Sequence, residues 1–144
     1  MAETVYVLGF IFSPDLKDVY LIRKTHPEWQ KDLLNGVGGR IKDKEFMIRA
    51  MMREAEEESG YKGEFTFFLH MRGPGWDCPV YYSIMGIDQE VPSTREEEEI
   101  EKVAITSLLE MAPQMISNLP WLILAALNHI SHGGKKFRAE VEYY

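Results

Sequence analysis

The stretch from Gly38 to Tyr61, GGRIKDKEFMIRAMMREAEEESGY, constrains this chain more than any other. Glu45 to Ser59 has the composition of a helix, and Gly60 follows in the position where a glycine commonly ends one. Yet Glu54, Glu56, Glu57 and Glu58 crowd its last turns, and like charges three or four residues apart destabilise a helix. On a wheel at about 100° per residue, Glu54, Glu57 and Glu58 share an arc of about 100°. Ile48, Met51, Met52 and Ala55 form the adjacent apolar face, and Glu56 points away towards solvent. The stretch therefore predicts a helix docked on a sheet, with three carboxylates along one edge. Their repulsion needs a counter-charge. Mg²⁺ suits the place, because it takes oxygen ligands and keeps waters and substrate phosphates in its shell. An isolated glutamate run is more often a solvated face. Here the glycine pair just upstream lets backbone approach a ligand closely, which favours a site.

The flanking sequence supplies the sheet. Thr4 to Phe12 is rich in β-branched and aromatic residues and predicts a buried strand. Pro14 and Asp15 mark a turn, and Val19 to Lys24 predicts a hairpin partner. The segment from Thr25 to Gly36 is an unpatterned loop, long enough to suggest a functional role. A short strand is expected over Val37–Ile41. Two more, Phe65–Arg72 and Pro79–Ile87, flank the loop GPGWDC. Further elements are a strand at Glu101–Thr106, a short helix at Ser107–Ala112, a longer one at Asn118–Ile130, and a late strand at Phe137–Tyr144. The expectation is one domain over residues 1–144, a mixed sheet flanked by two main helices.

Composition narrows the function. A net charge of −7 disfavours binding to nucleic acid or to an anionic membrane, but leaves open a small anionic substrate screened by cations. The start of the chain lacks the basic region of a signal peptide, and no apolar run reaches membrane-spanning length. A single cysteine, Cys78, excludes an internal disulfide framework and fits a reducing, cytoplasmic setting. Oligomeric state is left open.

Gly39, five residues, Glu45, seven residues, then Arg53-Glu54-Ala55-Glu56-Glu57-Glu58-Ser59-Gly60-Tyr61 resembles the Nudix box, Gly-x5-Glu-x7-Arg-Glu-U-x-Glu-Glu-x-Gly-U, with U a bulky apolar residue. Every fixed position matches; Ala55 is smaller than the usual U residue. The resemblance implies an α/β/α sandwich with a mixed sheet, and hydrolysis of a nucleoside diphosphate linked to another group. It implies Glu54, Glu57, Glu58 and the Gly38 carbonyl as ligands of Mg²⁺ or Mn²⁺, Arg53 as the residue orienting the carboxylates, and Glu45 as its support. The general base would be a box glutamate or one of Glu96 to Glu99, with Glu98 and Glu99 favoured because a strand begins beside them.

Weaker similarities concern the substrate. Arg23 and Lys24 stand where MutT-like members carry phosphate-contacting basic residues. Asn35 lies in a segment, Leu33 to Gly39, resembling the Trp-Asn-Gly-Phe-Gly-Gly of oxidised-purine nucleotide hydrolases, although Leu33 and Leu34 stand where its Trp would be. Asn118 and Trp121 resemble a polar residue and a Trp beside the base pocket; a helix N-cap and a core Trp are their ordinary structural roles. His26, Trp29 and Trp76 lie in loops that could meet the ligand. The resemblance thus points to a nucleoside triphosphate pyrophosphohydrolase. The alternatives are hydrolysis of ADP-ribose, a dinucleoside polyphosphate or a nucleotide sugar, or a non-catalytic nucleotide sensor.

Overall fold

The computed structural model describes residues 3–134 and 139–144. A nine-residue strand, β1 (Thr4–Phe12), runs through the middle of a mixed sheet and is followed by its hairpin partner β2 (Asp18–Arg23). The two strands meet at Ile11–Tyr20 and Phe12–Val19 only. The remaining edge of β1 pairs with β4 (Val37–Arg40), and the end of β2 pairs with the two-residue β3 (Leu34–Asn35). The sheet therefore splits between β1 and β2, and Leu34 to Arg40 fills the split. Gly36 lies at the junction, where a Cβ would sit 2.6 Å from the Gly9 carbonyl oxygen. On the other side β1 runs parallel to β6 (Trp76–Ile84), which pairs with β5 (Thr66–Gly73), and β5 runs parallel to the short β8 (Glu140–Glu142). The outer edge of β2 carries β7 (Glu99–Ala104).

Strand alternation divides the core in two. Leu8, Phe10 and Phe12 of β1 face one side, with Val80 and Tyr82 of β6, and are covered by Leu119, Leu122, Ile123 and Ala126 of α3 (Leu119–Ser131). Val7 and Ile11 face the other side, with Tyr20, Val37 and Tyr81, and are covered by Ala50, Met51 and Ala55 of α1 (Met47–Ser59). A one-turn helix, α2 (Leu108–Met111), contributes Leu108 to the first cluster. Two helical layers on opposite faces of a mixed sheet make an α/β/α sandwich, as expected. Gly9 sets how closely α1 approaches, since a Cβ there would lie 2.8 Å from Met51 Sδ. Gly60 ends α1 with φ 74°, its N–H donating to the Glu56 carbonyl.

The structure differs from the sequence-based expectation in four places. Helix α1 begins at Met47 rather than Glu45, so Glu45 lies in the approach loop. Ile48 is not part of the docking face and is 38% exposed; Ala50 takes its place. The loop GPGWDC is shorter than expected. Gly73 pairs with Trp76 across a tight Pro74-Gly75 turn, so Trp76, Asp77 and Cys78 belong to β6. Pro79 is accommodated because the β1–β6 ladder passes from Val5–Asp77 to Leu8–Val80 without using its missing N–H. Trp121 is 42% exposed and lies outside the core. Of the late strand, Lys135 to Arg138 lie outside the described residues; β8 occupies Glu140–Glu142.

Met51→Ala should destabilise the fold by about 2–5 kcal/mol, the usual cost of emptying a buried Met site. Ile48→Ala should change stability by no more than about 0.5 kcal/mol. Denaturant melts of the two variants check which face of α1 is docked; equal costs would contradict it.

Candidate active site

One guanidinium binds Glu45, Glu54 and Glu57. Arg53 Nε and Nη2 donate to Glu45 at 2.8 and 2.9 Å, Nη1 donates to Glu54 at 2.9 Å and to Glu57 at 3.2 Å, and Nη2 also reaches the Arg40 carbonyl at 3.3 Å. The Arg53 bond, with a smaller contribution from the Lys42 N–H, depresses the Glu45 carboxyl to about 2. Glu54 lies against β4, where a Cβ on Gly39 would stand 2.5 Å from Glu54 Oε1. This close approach is the local reason for glycine at that position. Burial raises the proton affinity of Glu54, against the opposing pull of Arg53.

Glu58 turns inward. It is buried, and its Oε1 accepts the Gly38 N–H at 2.8 Å. Burial pushes its carboxyl up to about 8, despite the Gly38 N–H and the nearby Lys24, which favour the charged form. Among the described residues no three acidic, His or Cys side chains converge tightly enough to ligate one ion as they stand. Glu54, Glu57 and Glu58 line one cleft, with Glu54 and Glu57 bonded to Arg53 and Glu58 to the Gly38 N–H.

These groups open into a cleft of about 1040 Å³ running across the split in the sheet. Its acidic end carries Gly38, Gly39, Glu54, Glu57 and Glu58 with Glu96, Glu97 and Glu98. Its other end carries Asn35, Asn118, Trp29 and Trp76, with Tyr143 from the end of the chain. Asn35 accepts the Gly36 N–H at 2.8 Å and donates to Gln30 Oε1 at 3.1 Å. Asn118 precedes α3 as its N-cap residue, but its side chain does not cap the helix. Its Nδ2 donates instead to Tyr143 Oη at 2.6 Å. Trp29 is exposed at the cleft mouth, on a loop closed by the bonds Lys24 N to Leu33 O and Asp32 N to Lys24 O.

The loop glutamates arrive because their segment is pinned to the end of α1. Ser93 N donates to the Ser59 carbonyl at 3.0 Å, and the Arg95 guanidinium lies over Gly60. Glu98 sits in the cleft wall, but both its oxygens are engaged: Oε1 by Lys24 Nζ at 2.9 Å, Oε2 by the Thr25 N–H at 2.6 Å. Burial works to raise its pKa, yet the Thr25 and Lys24 bonds outweigh it and leave Glu98 below the ordinary carboxylate range. Glu99 opens β7 opposite Arg23 and does not line the cleft. Among the described residues no protein group donates a hydrogen bond to Glu96 or Glu97, and both face the cleft.

Two expected substrate residues are likewise placed elsewhere. Arg23 binds Glu101 through two bonds, at 2.6 and 2.8 Å, and reaches the Asp32 carbonyl at 2.9 Å. Neither it nor Trp121 lines the cleft. Arg23 ends a strand facing β7, and only the cross-strand register reveals its partner. Lys24 and His26 do line the cleft. Tyr143 has no motif of its own; the late-strand expectation covers its position without singling it out.

The family model for the NUDIX domain matches residues 3–126, and the chain belongs to that family. Its class is that of hydrolases acting on a phosphoanhydride bond of a nucleoside diphosphate linked to another group. Among solved structures it resembles MutT, from a study of Aliivibrio salmonicida and Vibrio cholerae, at 23% identity over 87% of this chain and 98% of that one, with TM-score 0.71. It also resembles the NUDIX domain of Shewanella oneidensis NrtR complexed with ADP ribose, at 15% identity over 90% of each chain and TM-score 0.76. A MutT protein from Bacillus halodurans is similar at 17% identity, over 97% and 90%, with TM-score 0.66. No curated protein shows significant sequence similarity to the chain.

The Glu58 shift carries a sign. Between the ordinary value of 4.5 and about 8 the folded protein holds a proton that the unfolded chain has released, so the contribution of Glu58 to stability falls as pH rises through that window. Glu58→Gln has no proton to release there. Its melting temperature should decline less steeply than the wild type's across the window, in metal-free buffer; parallel declines would contradict the burial of the charge.

Proposed function

We propose that the chain is a divalent-metal-dependent pyrophosphohydrolase of nucleoside triphosphates, releasing a nucleoside monophosphate and pyrophosphate. The observation carrying this reading is that the acidic edge of α1 and the aromatic, amide-bearing end lie in one cleft. Its volume of about 1040 Å³ is at the upper end of the range for small-molecule sites. A polyphosphate meets the acidic end through cations, while a planar base meets Trp29, Trp76, Asn35 and Asn118. The likeness in fold to MutT proteins supports the triphosphate.

The donor set fits a hard divalent cation. It consists of oxygens only, and the buried Glu58 carboxyl is costly to ionise without a positive neighbour. Glu54, Glu57 and Glu58, with backbone at Gly38, would hold Mg²⁺ or Mn²⁺. When bound, the ion neutralises phosphate charge and makes a water more acidic. Arg53 keeps Glu54 and Glu57 in place by its bonds to both. Lys24 uses one of its three ammonium donors on Glu98, leaving two for a phosphate oxygen, and His26 stands beside it in the cleft wall. The proton of the attacking water goes to Glu96 or Glu97, whose carboxylates face the cleft without a protein donor. Small nucleotides, rather than nucleic acid or membrane, are the partners that fit a net charge of −7, and among the described residues no helix is long and apolar enough to cross a membrane. We place the reaction in the cytoplasm, where its substrates occur. A second reading takes ADP-ribose as the substrate, motivated by the similarity to the NrtR domain, which binds that nucleotide.

The test is pyrophosphate or phosphate release from ordinary and oxidised nucleoside triphosphates, ADP-ribose and a dinucleoside polyphosphate, with and without Mg²⁺. Turnover of triphosphates supports the proposal, and turnover of ADP-ribose alone replaces it with the second reading. Glu57→Gln should lower kcat by at least about 10²-fold, with stability changed by less than about 0.5 kcal/mol. Unfolding of this variant would make Glu57 structural. Glu96→Gln and Glu97→Gln, measured side by side, separate the proton acceptor: one should lose kcat with KM unchanged, and two unaffected variants would exclude both.

A further inference from the structure

Glu96 and Glu97 are suspended between two fastenings. On one side Glu98 is bound by Lys24 and by the Thr25 N–H, at the end of β2. On the other, Ser93 N donates to the Ser59 carbonyl at 3.0 Å, and Arg95 folds back over the end of α1. A Cβ on Gly60 would lie 2.6 Å from Arg95 Nε and Nη2, so the guanidinium occupies the space that any other residue's side chain would fill. Its Nε donates to Ser93 Oγ at 3.2 Å and its Nη2 to Glu90 at 2.8 Å. The pair with Glu90 is exposed and contributes little by itself. The Gly60 contact, with a cation set at the negative end of the α1 dipole, gives Arg95 its hold. The Ile100 N–H donates to Thr94 Oγ1 at 3.0 Å, so the turn between them is closed on itself and not on α1.

This fastening works against a repulsion. Glu96 and Glu97 line the same end of the cleft as Glu54 and Glu57. Burial, opposed by Arg53, raises the proton affinity of Glu54, and the charges of Glu57 and Glu96 add to the rise. The same charges push the loop off the helix. Arg95 itself does not line the cleft. We infer that Arg95 is a positioning residue acting through Gly60: its guanidinium latches the loop onto the end of α1 and sets where Glu96 and Glu97 stand relative to the helix carboxylates. Gly60 then serves twice, ending α1 at φ 74° and forming the floor on which Arg95 rests. The catalytic consequence rests on the reaction proposed above. Misplacing a group by about 1 Å costs on the order of 10²-fold in rate, so a freed loop lowers kcat while the residues that meet the nucleotide, and with them KM, stay as they are.

The experiment compares the wild type with R95A, G60N and R95A/G60N, by amide hydrogen exchange in metal-free buffer and by steady-state kinetics on the nucleotide that the wild type turns over. Asn tolerates the left-handed backbone of Gly60 but sets a side chain where the guanidinium lies. In R95A the Ser93 amide should exchange roughly tenfold faster, the worth of one lost bond, while the amides of β1 and α3 exchange as before. Its kcat should fall at least about tenfold, with KM held within about twofold. G60N should behave in the same way. R95A/G60N should lose no more than the worse single variant, because both changes remove one contact. Unchanged Ser93 exchange in folded R95A, a freed loop with kcat unchanged, or multiplied losses in the double variant would each overturn the inference. Loss of protection across β1 and α3 in both single variants would make the contact merely structural and overturn it as well. Absence of turnover by the wild type removes the proposed reaction, and the exchange rates alone then support or overturn the latch.

Discussion

Everything at the acidic end of the cleft depends on the Arg53 guanidinium. A helix that carries Glu54, Glu57 and Glu58 within its last two turns is electrostatically unfavourable by itself. Arg53 binds two of these carboxylates and is anchored from behind by Glu45, in a pair of nearly parallel bonds at 2.8 and 2.9 Å. The planar fork of arginine makes this geometry available, and a lysine would not reproduce it. The third carboxylate, Glu58, is satisfied differently, by the backbone of β4. The repulsion is therefore divided between a side chain of the helix and the strand beneath it.

The split in the sheet is the second constraint, and it explains why the cleft is where it is. β1 and β2 stay paired for only two residue pairs, and the segment Leu34–Arg40 occupies the opening. Small residues are required there for two separate reasons: Gly36 packs against the Gly9 carbonyl, and Gly39 lies against the Glu54 carboxylate. The same segment delivers Asn35 to one end of the cleft and Gly38 to the other. Two ends of contrasting chemistry are thereby tied to a single extended stretch of backbone.

Much of this was legible in the sequence. The strand Thr4–Phe12 was visible from β-branched and aromatic content, and α1 from an apolar stripe ended by Gly60. The pairing of carboxylates with cleft was legible because Glu54, Glu57 and Glu58 lie close together along one helix, where spacing fixes direction. The assignments of Arg23, Glu98 and Glu99 were not legible. Each of these residues is paired or displaced through β7, whose register on β2 sets Arg23 beside Glu101 and delivers Glu98 to Lys24 and Thr25. No local pattern encodes that register. Trp121 illustrates the same point for packing: its position early in α3 is clear from sequence, but whether that face meets the sheet, the cleft or water depends on how the helix is rolled.

The sequence by itself determined the elements, the box and the chemistry of its edge, because helix and strand periods turn residue spacing into spatial direction over short distances. The tertiary structure alone decided which charges are used up inside the protein and which face the cleft. Glu98 is neutralised by Lys24, Arg23 by Glu101, and Asn118 donates to Tyr143, its neighbour only because β8 pairs with β5. Such choices depend on contacts between residues far apart in the chain. Whether a charge is free or paired is decided by the few ångströms that separate it from its partner, and that distance is set by the packed sheet.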